Sequence, residues 1–257
     1  MTLGRIKLTV QDQVAEVTVD DIAKHNAMSL AMWEALRLAF EEIDGRSDIR
    51  VCLLRGAGEK AFVSGANISE FEKQRSSQST VTKYNNSVRS AQRSIRHCRV
   101  PVIAAISGVC YGGGLGIALS CDLRYASPSA RFCIPAARMG LGYDDENMKI
   151  ILQNLGPQAA AELLYSASVY DAISAQSMGI VRSRVDNVFE FCSELAHQIA
   201  RNAPLTIQAA KKTLLALAEG SDLASVKTAI DNCFKSKDYA EGRLAFAEKR
   251  SPYFTGH

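Results

Sequence analysis

Three consecutive glycines, Gly112, Gly113 and Gly114, stand between a short apolar segment and a run of small, helix-compatible residues. The full stretch, residues 107–122, reads SGVCYGGGLGIALSCD. Glycine in a helix interior costs roughly 0.5–1 kcal/mol relative to alanine. A glycine triplet at a strand-to-helix junction therefore requires either a backbone shape that only glycine tolerates or a partner that comes very close to the main chain.

The bulk composition narrows the classes of protein to consider. A chain of 257 residues with 47% hydrophobic residues can bury a sizeable core, and its net charge of +3 gives no indication of a nucleic-acid partner. No apolar run approaches the ~20 residues of a membrane span, so we expect no membrane partner. The beginning of the chain, MTLGRIKLTV, lacks the apolar segment of a secretory signal.

The seven cysteines have no CxxC spacing, and most lie among apolar residues. They are therefore interpreted as buried thiols in a reducing cytoplasm, and no metal site is expected. A basic stripe at near-helical spacing has two interpretations, a solvated helix face or a site for an anionic partner; its members are Arg89, Arg93, Arg96 and Arg99.

Hydrophobic periodicity predicts an α/β first half and a helical second half. An apolar–polar alternation predicts a hairpin of strands 6–10 and 14–19, and Ser29 is predicted to cap a helix. Further strands are predicted at 51–54, 102–106, 123–126 and 131–134, with a second long helix from Val81. From about residue 144, helices are predicted at 147–154, 157–166, 172–178, 188–201, 204–218, 223–235 and 239–249.

Two phosphate-binding motifs are excluded for the glycine run. The Walker pattern needs a Lys-Ser or Lys-Thr after its last glycine, and the dinucleotide fingerprint needs G-x-G-x-x-G in register. A third possibility is a nucleophile elbow with cysteine in place of serine, because Gly108-Val-Cys110-Tyr-Gly112 has the right form. Its weakness is the base, since only His197 and His257 follow in the chain.

A further interpretation uses the main chain alone. The N-terminus of a helix carries unpaired N–H groups and the positive end of the helix dipole, and glycines let a carbonyl oxygen approach them. Two such donors aimed at one oxygen form an oxyanion hole. A second junction of this kind, Phe62-Val-Ser-Gly65-Ala66-Asn67-Ile68, offers the other donor. The competing interpretation is that each junction is simply a tight turn that needs glycine.

The two glycine junctions and the residues around them resemble a known family. The segment 54–71, LRGAGEKAFVSGANISEF, and the segment 101–127, PVIAAISGVCYGGGLGIALSCDLRYAS, are similar in order, spacing and flanks to the crotonase family, also called enoyl-CoA hydratase/isomerase. KHNAMS near the beginning and YAEGRLAFAEKRSPYFTGH at the end extend the resemblance to essentially the whole chain.

The resemblance implies an α/β fold, a spiral of strand–strand–helix repeats with a C-terminal helical region that builds trimers and often hexamers. It implies a crotonase-like core at 1–196 and a helical trimerisation region at 197–257. It also implies an acyl-CoA substrate, with coenzyme A as part of that substrate and no separate cofactor. Homotrimers, or dimers of trimers, are therefore the expected assembly.

The resemblance also assigns roles to residues. The amides of Ala66 and Gly113 are expected to hold the thioester oxygen, and Tyr143 matches a tyrosine of methylmalonyl-CoA decarboxylase, a family member that has histidine at the position of Ala66. The positions expected to bind CoA are Lys24, Ala27, Ala66, Asn67, Ile68, Gly112, Gly113, Phe246 and Lys249. Phe246 and Lys249 are expected to reach the nucleotide end from a neighbouring subunit, although a solvated lysine is an equal alternative for Lys249.

The two glutamates that hydratases of this family use are expected at the positions of Gly116 and Ala136, which cannot transfer protons. Asp144, Asp145 and Glu146 are either substitute acids or acids that stabilise a helix N-terminus. We therefore expect an atypical hydratase or isomerase that stabilises a thioester enolate. The alternatives are a decarboxylase of malonyl-type CoA esters and a CoA-binding protein without turnover.

Overall fold

A computed structural model describes residues 4–67 and 78–257, and they form a mixed α/β fold. The strands are β1 (Arg5–Gln11), β2 (Val14–Asp20), β3 (Val51–Gly56), β4 (Ala61–Val63), β5 (Val102–Ile106), β6 (Val109–Tyr111), β7 (Leu123–Ala126), β8 (Arg131–Cys133), β9 (Tyr170–Asp171) and β10 (Ser183–Arg184). The helices are α1 (Leu30–Gly45), α2 (Gln78–Arg96), α3 (Gly113–Ser120), α4 (Asp145–Ser166), α5 (Ala172–Ser177), α6 (Val188–Ala200), α7 (Pro204–Glu219), α8 (Ala224–Lys235) and α9 (Lys237–Glu248). Short 3-10 helices cover Ile22–Lys24 and Pro135–Met139.

The predicted N-terminal hairpin and first helix are confirmed. Strands β1 and β2 pair antiparallel across a turn in which Asp12 and Gln13 have positive φ. The Ser29 hydroxyl accepts a hydrogen bond from the amide of Met32 at 3.2 Å and so caps α1, satisfying one of the donors that a helix start leaves free. One face of α1 is buried, with Trp33 among its fully buried side chains.

The strands form two sheets that the chain visits alternately. The larger sheet has the order β1-β2-β3-β5-β7-β10, and the smaller has the order β4-β6-β8-β9. Consecutive strands β3 and β4, β5 and β6, and β7 and β8 each contribute one strand to each sheet. All pairings are parallel except β1 with β2 and β8 with β9. This strand–strand–helix repetition is the expected spiral.

The glycine triplet brings helix α3 against the smaller sheet. A Cβ atom at Gly114 would overlap the carbonyl oxygen of Val63 in β4. Gly112 has φ +49°, a left-handed conformation that side chains disfavour. Gly112 therefore has a backbone shape that glycine tolerates best, and Gly114 has a partner that comes very close to the main chain.

The second half of the chain is mainly helical, as predicted. The two helices expected at 147–154 and 157–166 are joined in α4, with a break where Gly156 adopts φ 73° and ψ 173° before Pro157. The two-residue strands β9 and β10 were not predicted, because a pair of residues has no measurable periodicity. Among the described residues, no helix is both long and apolar enough to cross a bilayer.

Two cations, the buried Lys211 and the half-buried Arg50, tie the C-terminal helices to the larger sheet. The ammonium group of Lys211 in α7 donates to Asp122 Oδ2 at 2.7 Å and to the Val100 carbonyl oxygen at 2.8 Å. The Arg50 guanidinium donates to the carbonyl oxygens of Ala200, at 2.9 Å, and Phe254, at 2.6 Å. The core and the C-terminal helices are therefore joined by charge-assisted hydrogen bonds as well as by apolar packing.

Lys211→Met is expected to lower the free energy of unfolding by about 1–3 kcal/mol, because it leaves the buried Val100 carbonyl without its donor and Asp122 Oδ2 with the Val102 amide alone. The measurement is urea unfolding followed by circular dichroism. Lys212→Met is the matched control, since its side chain is exposed. Equal stability of the two variants would contradict the role given to Lys211.

Candidate active site

A cavity of about 560 Å³ lies between the start of α3, helix α2 and the segment that precedes α4. Its walls are predominantly apolar, with a few polar groups, which is the usual character of a small-molecule site. Its described lining residues are Trp33, Ser64, Gly65, Ala66, Val81, Tyr84, Asn85, Val88, Gln92, Tyr111, Gly112, Gly113, Pro135, Ala136, Met139, Leu141, Gly142, Tyr143, Asp144 and Asn147.

Ala66 is held at the edge of this cavity by a short parallel ladder with the segment 25–28. The amide of Met28 donates to the carbonyl oxygen of Gly65 at 2.8 Å, and the amide of Asn67 donates to the carbonyl oxygen of Met28 at 3.0 Å. In this register the N–H of Ala66 is not used by the ladder. Hydrogen bonds on both sides of Ala66 thus fix the conformation of the turn, while the amide of Ala66 itself stays available.

Asn26 anchors that segment, and sequence reasoning missed its role. Its side chain is buried, accepts from the amide of Asp21 at 3.0 Å, and donates to the carbonyl oxygens of Ala57, at 3.0 Å, and Ala61, at 2.7 Å. Its φ of 57° is a left-handed conformation in which asparagine is enriched. An asparagine in the short segment between the predicted strand 14–19 and the predicted cap at Ser29 was the available signal.

Gly113 also lines the cavity, at the first position of α3. A Cβ atom there would be 3.0 Å from Cζ2 of the buried Trp33 ring, so only a residue without a side chain fits freely. The Trp33 indole N–H donates to the hydroxyl of Tyr84 at 3.2 Å. The preceding amide, that of Gly112, donates to the Cys133 carbonyl oxygen at 2.9 Å.

Among the described residues, the amides of Ala66 and Gly113 donate to no protein acceptor, although both residues line the cavity. Helix α3 adds the positive end of its dipole at Gly113. Two such donors in an apolar cavity are the chemical requirement for binding a carbonyl oxygen that gains negative charge during a reaction.

Proton-transfer groups are few in the cavity. Ala136 lines it without a functional side chain, and Gly116 lies in α3, where a Cβ atom would overlap Nε2 of Gln92. Asp144 is the one carboxylate among the described lining residues. The described residues also contain no cluster of three or more metal-ligating side chains.

Asp144 is the N-cap of α4. Its Oδ1 accepts from the amide of Asn147 at 3.0 Å, its Oδ2 accepts from the Asn147 side chain at 2.9 Å, and Arg89 lies 3.7 Å away. Asp145 and Glu146 occupy the first turn of the helix. All three acids therefore stabilise a helix N-terminus, and Asp144 is the one that also faces the cavity.

Tyr143 is half-buried at the cavity wall, and its hydroxyl makes no hydrogen bond with another described residue. Desolvation raises the pKa of its phenol well above the usual value of 10, and the neighbouring Asp144 carboxylate raises it further. At neutral pH the phenol therefore keeps its proton and can donate a hydrogen bond, but it cannot act as a base.

The other predicted site residues fall into three groups. Lys24 and Ala27 lie on the segment that supports Ala66, and Asn67 is part of the same ladder. Ile68 lies outside the described residues. Phe246 is 88% exposed and lines a separate groove, while Lys249 ends α9 in a left-handed conformation with an exposed side chain.

The hypothesis of a Cys110 nucleophile is wrong. Cys110 lies within strand β6 rather than in the turn before α3, and it is fully buried. Burial raises the pKa of its thiol well above 9, so the reactive thiolate is not formed at neutral pH. His197 binds the carbonyl oxygen of Ser193 in α6 and lines a different cavity.

The phenol of Tyr143 is expected to remain neutral while exposed tyrosines ionise near pH 10. The Tyr143→Phe variant should therefore show the same rise in tyrosinate absorbance as the unmodified protein through that transition. The matched control is Tyr253→Phe, which removes a side chain that is 80% exposed and should reduce the rise. A reduction of equal size in both variants would contradict the desolvation of Tyr143.

Comparison with known proteins agrees with this architecture. The family model described as enoyl-CoA hydratase/isomerase matches residues 9–257. The chain is 33% identical to probable enoyl-CoA hydratase 2, mitochondrial, of Arabidopsis thaliana, over 95% of this chain and 82% of the relative. It is 28% identical to methylmalonyl-CoA decarboxylase of Escherichia coli (strain K12), over 100% of both chains.

A solved structure extends the comparison to the fold. The crystal structure of an enoyl-CoA hydratase/carnithine racemase from Magnetospirillum magneticum superposes with a TM-score of 0.93 at 35% identity, covering 98% of this chain and 96% of that one. Sequence, fold and the paired glycine turns thus lead to one assignment: the chain belongs to the enoyl-CoA hydratase/isomerase, or crotonase, family.

Proposed function

We propose that this protein is an acyl-CoA enzyme that binds the thioester oxygen with the amides of Ala66 and Gly113 and stabilises an enolate of the thioester. The observation that carries the proposal is the pair of unused amides, both in the lining of a single cavity. Electrostatic stabilisation of this type is effective because the donors are already oriented in a water-poor site.

The cavity contains few groups that can transfer a proton, which favours a reaction with few proton transfers. Hydration by the two-glutamate route requires an acid and a base, and the positions that the family resemblance assigns to them hold Gly116 and Ala136. Asp144 is the available carboxylate, and Tyr143 is the available neutral donor. We therefore assign the protein first to an atypical hydration or a double-bond isomerisation in which Asp144 carries the proton.

Decarboxylation of a malonyl-type thioester is the second candidate. In that reaction the bond between the α-carbon and the carboxylate carbon breaks, its electron pair forms the enolate, carbon dioxide leaves, and the α-carbon then takes a proton. It needs oxyanion stabilisation and an apolar cavity but no general base. The neutral phenol of Tyr143 and the scarcity of carboxylates support it, as does the similarity to methylmalonyl-CoA decarboxylase.

The rest of the CoA molecule would lie along the supporting segment that contains Lys24 and Ala27 and along the turn at Asn67, as the family resemblance implies.

We place the protein in the cytoplasm, because all seven of its cysteines are free thiols and six of them are buried.

An assay panel distinguishes the candidates. Loss of the conjugated-thioester absorbance of crotonyl-CoA reports hydration, its appearance from a β,γ-unsaturated ester reports isomerisation, and carbon dioxide release from malonyl-type esters reports decarboxylation. Turnover of any of these esters supports enolate chemistry. Calorimetric binding of CoA esters without turnover of any of them would instead support a binding protein and overturn the proposed reaction.

Gly113→Pro is expected to lower kcat about 10²–10³-fold in whichever assay is positive, because proline removes one oxyanion donor. Proline is tolerated at the first position of a helix, where the N–H has no intrahelical partner. Gly113→Ala is the matched control, since it introduces the same contact with Trp33 but keeps the amide. If both variants lose activity equally, the amide of Gly113 has no special role.

We also propose that the protein assembles as a homotrimer or a dimer of trimers through its C-terminal helices. Helices α7, α8 and α9 line an apolar groove of about 970 Å³. Large apolar side chains are exposed there, among them Leu214 (70%), Phe234 (63%) and Phe246 (88%). Contiguous exposure of this kind marks a protein interface.

Leu214→Asp is expected to dissociate this assembly, because a buried unpaired carboxylate is strongly unfavourable. Sedimentation velocity measures the result, with Leu38→Asp as the control, because this leucine lies at a separate site and is 54% exposed. A monomer for the unmodified protein would contradict the proposed interface.

A further inference from the structure

The side-chain amide of Gln92 in α2 is an unsatisfied polar group in the wall of the active-site cavity. Gln92 is 2% exposed, and its Nε2 has no hydrogen-bond partner among the described residues. An unpaired buried donor costs roughly 1–3 kcal/mol. A buried glutamine with an unused N–H pair beside a ligand cavity therefore indicates that a ligand supplies the acceptor.

The position of Gln92 relative to the oxyanion donors is set by α3. Its Nε2 fills the space beside Gly116, where a Cβ atom would overlap it. Gly116 lies three residues beyond Gly113, a rise of about 4.5 Å along the helix. An acceptor for Gln92 would therefore belong to the acyl group itself, a short distance beyond the thioester carbonyl.

The surroundings of Gln92 favour a negatively charged acceptor. Gln92 also lines a smaller cavity of about 210 Å³ behind the active site. The charged residues that line this smaller cavity are Arg89, Arg93, Arg96 and Lys149, against Glu146 and Glu219. Burial lowers the pKa of His97 there, which favours its neutral form. The Arg89 guanidinium adds a second donor one turn before Gln92, because its buried Nε also has no hydrogen-bond partner among the described residues.

The basic stripe of the sequence thus has a more specific role than a solvated helix face. Arg96 binds Glu219 at 3.1 Å and Gln153 at 2.6 Å, and Arg89 lies near both Asp144, at 3.7 Å, and Asp145, at 3.9 Å. The two hydrogen bonds hold Arg96 in place along α2, whereas the Nε of Arg89 stays without a hydrogen-bond partner among the described residues.

We propose that Gln92 selects acyl groups that carry a free carboxylate, whose oxygen accepts the Nε2 hydrogen bond beside the unpaired Nε of Arg89. The substrate class is then the CoA monothioester of a short dicarboxylic acid. This inference rests on the proposed function, because it takes the thioester to be held at Ala66 and Gly113. Gln92 binds and orients the acyl group, and it transfers no proton because an amide does not titrate.

The test compares succinyl-CoA with butyryl-CoA, which match in chain length and differ in a terminal carboxylate against a methyl group. Titration calorimetry should show tighter binding of succinyl-CoA to the unmodified protein. Gln92→Met, which keeps the side-chain length, should weaken succinyl-CoA binding about tenfold and leave butyryl-CoA binding unchanged. Gln92→Glu should reverse the preference, because a second carboxylate repels the first.

Two controls keep the outcome interpretable. Gln198→Met makes the same substitution at an exposed position of α6 and should change neither affinity. Retained butyryl-CoA binding by Gln92→Met shows that the variant is folded. Equal binding of both esters, unaffected by Gln92→Met, would overturn this inference alone. Failure of both esters to bind the unmodified protein would overturn the proposed function and the inference with it.

Discussion

The approach of helix α3 to strand β4 is the contact on which the cavity depends. A side chain at Gly114 would collide with the Val63 carbonyl, so glycine allows the start of the helix to settle against the smaller sheet. That position brings Gly113 into the lining of the cavity that Ala66 also lines. Packing of the backbone, rather than any catalytic side chain, thus determines where the two amides lie.

Much of the fold could be predicted from the sequence because it is encoded in local patterns. Alternation defined the β1–β2 hairpin, and the cap at Ser29 and the apolar stripe containing Trp33 defined α1. The paired glycine turns at Gly65 and Gly113 identified the family, and they are the basis for proposing the amides of Ala66 and Gly113 as oxyanion donors. These features are recognisable because turns and caps require particular residue types at particular positions.

The parts that escaped prediction depend on contacts between distant segments. Gln92 has the appearance of an ordinary polar residue on an amphipathic helix, and only the packing of α2 against α3 reveals that it is buried beside Gly116. Asn26 fixes a turn through oxygens that lie 31 and 35 residues away. Asp144 could be read as a helix cap, but its place in the cavity wall depends on the fold.

The hydrogen bond from Arg50 to the Phe254 carbonyl joins residues 204 positions apart. During synthesis the guanidinium of Arg50 leaves the ribosome long before its acceptor exists, and solvent must hydrate it in the interval. The hydrogen bonds around Arg50 at the start of β3 are therefore complete only after residue 254 has been synthesised.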